Sequence, residues 1–345
     1  MITVLSDNVE TWDLYKQLLT NATKSIELTM WYAFVDDYIK IVEDLLLQAL
    51  ARGVSVKITY PNERIQELQQ IVANGNNPDV LYTGIFIENL KKAGAEVINF
   101  TLEVPGRGSH RKILVIDDTK MIIGGRNIKN SYYENTDTSY IDCDILVDCS
   151  NGDQPMEIIE FIPTKRTQKI FDFPKYNKNN NINKYIELIN DAKESIVIAN
   201  FSSLYTKKIR KALVKALKRK VQITLYINVQ KQLGYFLGQV DFLNYMLKYK
   251  NFNLFTNDSN RLLHMKIAVF DNKISVIGSF NFDEDSYTKN AEVIAIVDNE
   301  TTANEFITFT QSFSDQYFSK VTEPLDSEDN KLITAIMQII LIISY

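Results

Sequence analysis

His110-Arg-Lys112-Ile-Leu-Val-Ile-Asp117, then six residues and Gly124-Gly125-Arg-Asn127, decides how this chain is organised, because the plan returns later as His264-Met-Lys266-Ile-Ala-Val-Phe-Asp271, six residues, and Gly278-Ser279-Phe-Asn281. These are the only two histidines in 345 residues. From composition, Lys, Asp, Gly and Asn at those offsets after a given His are expected on the order of once in ten thousand trials. Both histidines meet the pattern, so two unrelated structural histidines are set aside. Each His-x-Lys leads into a four-residue apolar strand, and the period-two rule points His and Lys to the same side. A tight glycine turn then brings an Asn amide alongside. Histidine offers a nucleophile or a proton donor near neutral pH. Lysine offers a point charge for a phosphate oxygen, and Asn or backbone N–H groups can donate to the same oxygens. Two such sets across a pseudo-twofold axis suit attack at phosphorus by one and protonation of the leaving oxygen by the other.

The repetition extends outward from the motifs. Residues 21–60 contain NATKSIELTMWYAF, a helical stretch and QALARGVSVKITY; residues 190–226 contain NDAKESIVIANF, a helical stretch and KALKRKVQITLY. Strands are expected to open at Ser25-Ile26 and Ser195-Ile196. Ile26, Leu28 and Met30 alternate with polar neighbours, as do Val54, Val56 and Ile58. Ile209, Ala212, Leu213, Ala216 and Leu217 form one face of a helix. Alternating strands and helices predict an α/β sandwich in each half. The halves are placed at 1–150 and 185–325, with 151–184 (ending in KYNKNNNINK) as linker and 326–345 as an apolar tail.

Apolar residues at 45% and charged residues at 23% exclude a disordered or fibrous chain. A net charge of −5 gives no global pull toward nucleic acid. Cys143 and Cys149, the only cysteines, cannot build a disulfide framework or a four-ligand zinc site, and no metal or other cofactor is expected. MITVLSDNVETW has neither a basic start nor an apolar core, so no secretory signal is expected and the reading is cytoplasmic with peripheral membrane association. The run Leu332–Ile343 is too short to span a bilayer, and a docked helix able to release onto membranes is expected there, after the acidic EPLDSED of 323–329.

H-x-K-(x)4-D-(x)6-G-(G/S)-x-N, present twice, resembles the HKD signature of the phospholipase D superfamily, and the resemblance covers roughly residues 1–325. It implies two phospholipase D-like α/β/α sandwich halves with pseudo-twofold symmetry, both motifs meeting in one centre, and a covalent phosphohistidine intermediate. It makes His110 the nucleophile and His264 the general acid, with Lys112, Asn127, Lys266 and Asn281 as catalytic partners. A working histidine needs a carboxylate on its other nitrogen. Asn290-Ala-Glu292 resembles the family's N-x-E element, so Glu292 is one candidate; in TSYIDCDILVDC, Asp142 is the other and Asp144 its runner-up. Asp117 and Asp271 are expected to hold the strand-to-turn geometry. Gly125 and Ser279 are assigned to substrate binding, with a hydroxyl donor from the second motif only. The Gly-Gly-x-Asn form and HRKILVIDD are similar to the first motif of bacterial cardiolipin synthases.

HKD chemistry serves phospholipid hydrolysis, phosphatidyl transfer and nucleic-acid cleavage. The expectation is a phospholipid membrane surface as partner, with water or an alcohol as acceptor, and nucleic acid as the weaker alternative. An inactive binding module fits poorly, since both motif sets are complete. The densest charge lies in Lys207–Lys220, whose basic face suits anionic lipid heads or, on the bland reading, plain solvation.

Overall fold

A computed structural model describes residues 1–31, 33, 35–61, 78–100, 108–152, 156–161, 176–177, 183–202, 206–228, 239–283, 285–286 and 290–325. Most of the expected linker and all of 326–345, with the expected tail helix, lie outside these residues. Two compact units are present. Among the described residues the first gathers 1–177 with 276–280 and 290–298, and the second 183–275, 281–286 and 299–325. Compact units and sequence repeats therefore do not coincide.

The strands are β1 (Ile2–Leu5), β2 (Ser25–Thr29), β3 (Ser55–Tyr60), β4 (Glu96–Asn99), β5 (Ile113–Ile116), β6 (Lys120–Gly124), β7 (Asp144–Asp148), β8 (Glu157–Phe161), β9 (Tyr176–Asn177), β10 (Ser195–Asn200), β11 (Gln222–Asn228), β12 (Phe252–Asn257), β13 (Lys266–Phe270), β14 (Ile274–Gly278), β15 (Glu292–Asp298) and β16 (Phe318–Lys320). The helices are α1 (Asn8–Asn21), α2 (Asp37–Ala51), α3 (Pro78–Lys92), α4 (Asn130–Tyr133), α5 (Asn183–Asp191), α6 (Lys207–Lys218), α7 (Val240–Leu247) and α8 (Glu300–Tyr317). In the first unit seven strands run in the order β1-β7-β6-β5-β2-β3-β4. β2, β3 and β4 are parallel, and β5 turns antiparallel to β2. The second unit repeats this: β10, β11 and β12 are parallel, β13 is antiparallel to β10, and β16 closes on β12.

The elements follow from their residues. Ile26, Leu28, Val56 and Ile58 are buried on strands that open where the repeats predicted. α2 begins because Asp36 accepts from the N–H groups of Tyr38 and Ile39 (2.9 and 3.2 Å), satisfying donors that a helix start leaves bare. Its other carboxylate oxygen accepts from Asn130 N (2.8 Å), tying α2 to α4. α6 buries the five apolar residues expected. Within the stretch read as linker, β8 pairs antiparallel with β15, Glu292 opposite Phe161 and Ile294 opposite Ile159.

The signature aspartates build the turn after each motif strand. Asp117 and Asp118, and likewise Asp271 and Asn272, have positive φ (52°, 59°, 52° and 52°), the left-handed pair a tight hairpin needs. The Asp117 carboxylate accepts from Thr23, Lys24 and Ser25 N–H groups (2.7–3.1 Å), and Asp271 from Lys193, Glu194 and Ser195 (2.8–3.1 Å). Each clamps the start of the neighbouring strand, as expected from the sequence. Burial raises these carboxyls, but the backbone donors outweigh it and both lie below the ordinary carboxylate range.

Candidate active site

In the first unit His110 sits just before β5, held by backbone bonds to the segment ahead of β15: His110 N–H donates to Ala291 O (2.9 Å) and Ala291 N–H to Gly108 O (3.1 Å). This register brings Glu292 to His110, whose Nδ1 lies 3.1 Å from both carboxylate oxygens. The His110 side chain keeps 14% exposure and Glu292 1%, so the imidazole is reachable while its carboxylate is sealed. An Nδ1–H donating to Glu292 puts the ring's lone pair on Nε2. Ser279 Oγ donates to Glu292 Oε2, and Val293 N–H donates to Ser279 Oγ (3.0 Å). Burial raises the Glu292 carboxyl. The charge and hydrogen bond of His110, the charge of Lys112 and the Ser279 hydroxyl outweigh that and hold it below its ordinary range.

Lys112 Nζ donates to His110 O (2.6 Å) and lies 5.9 Å from the centre of the Trp31 ring, whose edge-on contact with His110 has a centroid distance of 5.2 Å. Asn127 Nδ2 donates to Tyr132 Oη (3.0 Å). Between Lys112 and this amide lies a recess also lined by Met30, Trp31 and Ile128. Arg111 is fully buried against Phe100 (4.4 Å) and donates to Ser109 Oγ (2.8 Å); burial pulls it down to about 9.

The two acidic candidates of the first half have different surroundings. Asp144 belongs to Arg126, which donates to it through Nη1 (3.1 Å) and its backbone N–H (3.3 Å). Asp142 is buried against Gly125, where a Cβ would meet its Oδ1 at 2.5 Å. Gly125 N–H donates to Cys143 O (3.5 Å) just as Ser279 N–H donates to Val293 O (2.9 Å), so Asp142 occupies the position that Glu292 occupies after the second motif. The glycine of the first motif thus leaves room for the acid, while the serine of the second bonds to it.

In the second unit Lys266 Nζ donates to His264 O and lies 3.0 and 3.2 Å from the His264 ring nitrogens. Phe201 packs on the His264 ring (5.0 Å) and under Lys266 Nζ (5.1 Å). Asn281 is buried, its backbone N–H donating to Ser286 Oγ (3.2 Å). Phe201 follows β10 as Trp31 follows β2, so both halves place an aromatic ring against their His and Lys. Comparison of LTMWYAF with IANFSSL holds that signal, although neither aromatic stood out in the sequence alone. Also missed was a row of buried asparagines at the ends of β10, β11 and β12. Asn228 donates to Leu263 O (2.8 Å) and Phe201 O (3.2 Å) and accepts from Leu263 N (3.0 Å) and Asn257 Nδ2 (3.1 Å). Asn200 accepts from Phe282 N (3.2 Å). Asn228 thus fixes the backbone immediately before His264, and Asn200 the residue after Asn281.

Among the described residues no group of three potential metal ligands occurs, and no helix is long and apolar enough to cross a membrane.

The profile of the family described as "Cardiolipin synthase, PLD-like domain" matches residues 15–144 and 185–313, once in each half. A cardiolipin synthase of Halalkalibacterium halodurans is 29% identical over 136 residues, 37% of this chain and 24% of that protein. The major cardiolipin synthase of Bacillus subtilis is 22% identical over 342 residues, 86% of this chain and 65% of that protein. This chain thus spans from about a quarter to under two thirds of these relatives. A crystal structure of phosphatidylserine synthase from Haemophilus influenzae has the same fold, with a TM-score of 0.76, 12% identity, and 99% of this chain and 93% of that one covered.

Proposed function

Because the chain belongs to the phospholipase D-like family of cardiolipin synthase domains, we propose that it is a phosphodiesterase that transfers phosphatidyl groups on glycerophospholipids. The observation that carries this reading is His110 held by Glu292 at Nδ1, its ring still partly exposed, with the Lys112 ammonium on the His110 backbone carbonyl. His110 Nε2 attacks the phosphorus of a phosphatidyl headgroup; a P–N bond forms, the P–O bond to the headgroup alcohol breaks, and His264 gives its proton to the leaving oxygen. An alcohol or water then attacks the same phosphorus, yields its proton to His264, and displaces His110. Lys112, Lys266, Asn127 and Asn281 balance the charge on the non-bridging oxygens. Asp142, in the place after the first motif that Glu292 holds after the second, is the other candidate carboxylate for a catalytic histidine.

Mixed phosphatidylglycerol and phosphatidylcholine vesicles, with and without a short alcohol, test the proposal by lipid analysis. Cardiolipin with free glycerol marks transfer between lipids, a phosphatidyl-alcohol marks transfer to solvent alcohol, and phosphatidic acid marks hydrolysis. Untouched lipids together with cleavage of DNA or RNA would replace this reading with a nuclease.

A further inference from the structure

Eight cations and no acid fill the fourteen residues from Lys207 to Lys220, in a chain whose net charge is −5. The repeat supplies an internal control. α2 occupies the place in the first half that α6 occupies in the second, and its residues 37–51 carry Asp37, Lys40, Glu43 and Asp44. A helix at this position therefore needs no basic face to fold.

The cations divide by role. Arg219 donates to Ile189 O and Ala192 O (2.9 and 3.1 Å), as Arg52 does to Leu19 O and Ala22 O (3.4 Å each), so this arginine is a duplicated structural brace. Arg210 packs over the Phe242 ring (5.2 Å). Lys207 matches Lys40, but Lys208, Lys211, Lys215 and Lys218 stand where α2 has Ile41, Asp44, Gln48 and Ala51; all five lysines are exposed, and at 100° per residue they fall within an arc of about 100° opposite the buried stripe. Lys220 extends the row with φ +76°, where the first half has Gly53 at +85°. Glycine adopts that conformation freely and lysine only against its own Cβ. A charge stands where the backbone favours none. The row also begins near chemistry: Phe201, on His264, precedes Lys207 by only six positions.

We propose that this lysine face of α6 docks the protein on an anionic phospholipid surface. The inference goes beyond the proposed activity but rests on its substrate being a membrane lipid. The apolar stripe of α6 is already buried in its unit, so attachment is electrostatic and peripheral rather than insertional. A straight row of about 18 Å suits a sheet of mobile headgroups, which can bring a phosphate beneath each lysine. The face has no interleaved aromatics of the kind that stack bases.

The test is sedimentation of the full chain with vesicles of phosphatidylglycerol and phosphatidylcholine, or phosphatidylcholine alone, at low and high salt. Replacing Lys207, Lys208, Lys211, Lys215 and Lys218 by Gln should weaken binding to the anionic vesicles at least tenfold. Turnover of a soluble short-chain phosphodiester should remain unchanged. Gln at Lys91, Lys92, Lys248, Lys250 and Lys320, the same change in net charge, should leave binding intact. Lys220→Gly should raise the melting temperature while weakening binding several-fold. Equal losses in the two five-lysine variants, salt-independent binding, or tight binding of DNA with none to lipid would overturn the proposal. Patch-dependent docking without lipid turnover would instead sink the activity and leave the docking face standing.

Discussion

At the scale of residues, the candidate site centres on the His110 imidazole, held from behind by Glu292. His110→Ala and His264→Ala are each expected to abolish turnover with the fold intact, but they should differ in kind. Without the acid, attack still proceeds when the leaving group needs no proton, so His264→Ala should keep a burst with an activated aryl phosphodiester. A burst from His110→Ala alone would reverse the two roles. Ser279 touches Glu292 and acts through it. A hydrogen bond to a charged group is worth enough that Ser279→Ala should slow turnover about tenfold. Its pH profile carries a second readout. Glu292 must be ionised to hold His110, and its depressed pKa keeps it so; removing a donor to the carboxylate raises that pKa and moves the acid limb to higher pH. Ser279→Thr should restore both rate and limb, and an unmoved limb in Ser279→Ala would show a packing role instead. Residue types with their own chemistry at fixed offsets, His, Lys, Asn and the acids, were legible in the sequence. Trp31, Phe201 and Asn228 were not, because an aromatic or an Asn at a strand end reads as core or turn, and only tertiary contact tells which backbone or ring it meets.

At the scale of elements, the turns and strand ends that carry the motifs are predicted to be stability determinants. Asp117→Ala or Asp271→Ala removes an acceptor of three backbone N–H groups and should cost about 1–3 kcal/mol in denaturant unfolding. The pH dependence follows from the depressed carboxyls. The stabilisation is fully present above the unfolded pKa of about 3.9 and is lost as pH falls through the lower folded value. The variants should therefore lose less stability than the native chain between neutral pH and acid; parallel curves would show that neither aspartate is linked to folding. Asn228→Leu strands the buried N–H and C=O of Leu263 and should cost about 2–4 kcal/mol, with a rate loss beyond what unfolding explains. Full activity in the folded Asn228→Leu protein would remove the asparagine row from the site. Local patterns were readable here: strands opened at Ser25 and Ser195, and α6 buried its predicted stripe. The pairing of β1 with β7, and of β8 with β15, was not. Those registers join strands more than a hundred residues apart, and no local periodicity encodes the partner.

At the scale of the whole molecule, the first compact unit draws on both sequence halves, and this makes a prediction that the repeat alone would not. The duplicated motif reads as two self-contained modules, with the chain divisible near residue 184. In the first unit, however, β8 is paired by β15, His110 N–H is satisfied by Ala291 O, and the carboxylate that orients His110 is Glu292. A fragment of residues 1–184 loses all three. Ile158 and Ile159, each 2% exposed, would lose their cover on a strand left unpaired along its β15 edge, a template for aggregation. His110 would keep its place in the sequence but not its tautomer or its negative neighbour. The fragment produced alone is expected to aggregate or to unfold without a cooperative transition, and to be inactive. Co-production with residues 185–345 should recover soluble, active material, because every missing contact lies in segments 276–280 and 290–298. A monomeric 1–184 fragment that unfolds cooperatively within a few degrees of the full chain would show that the β8–β15 pairing adds little, and that the division seen in the repeat is also the division that folds.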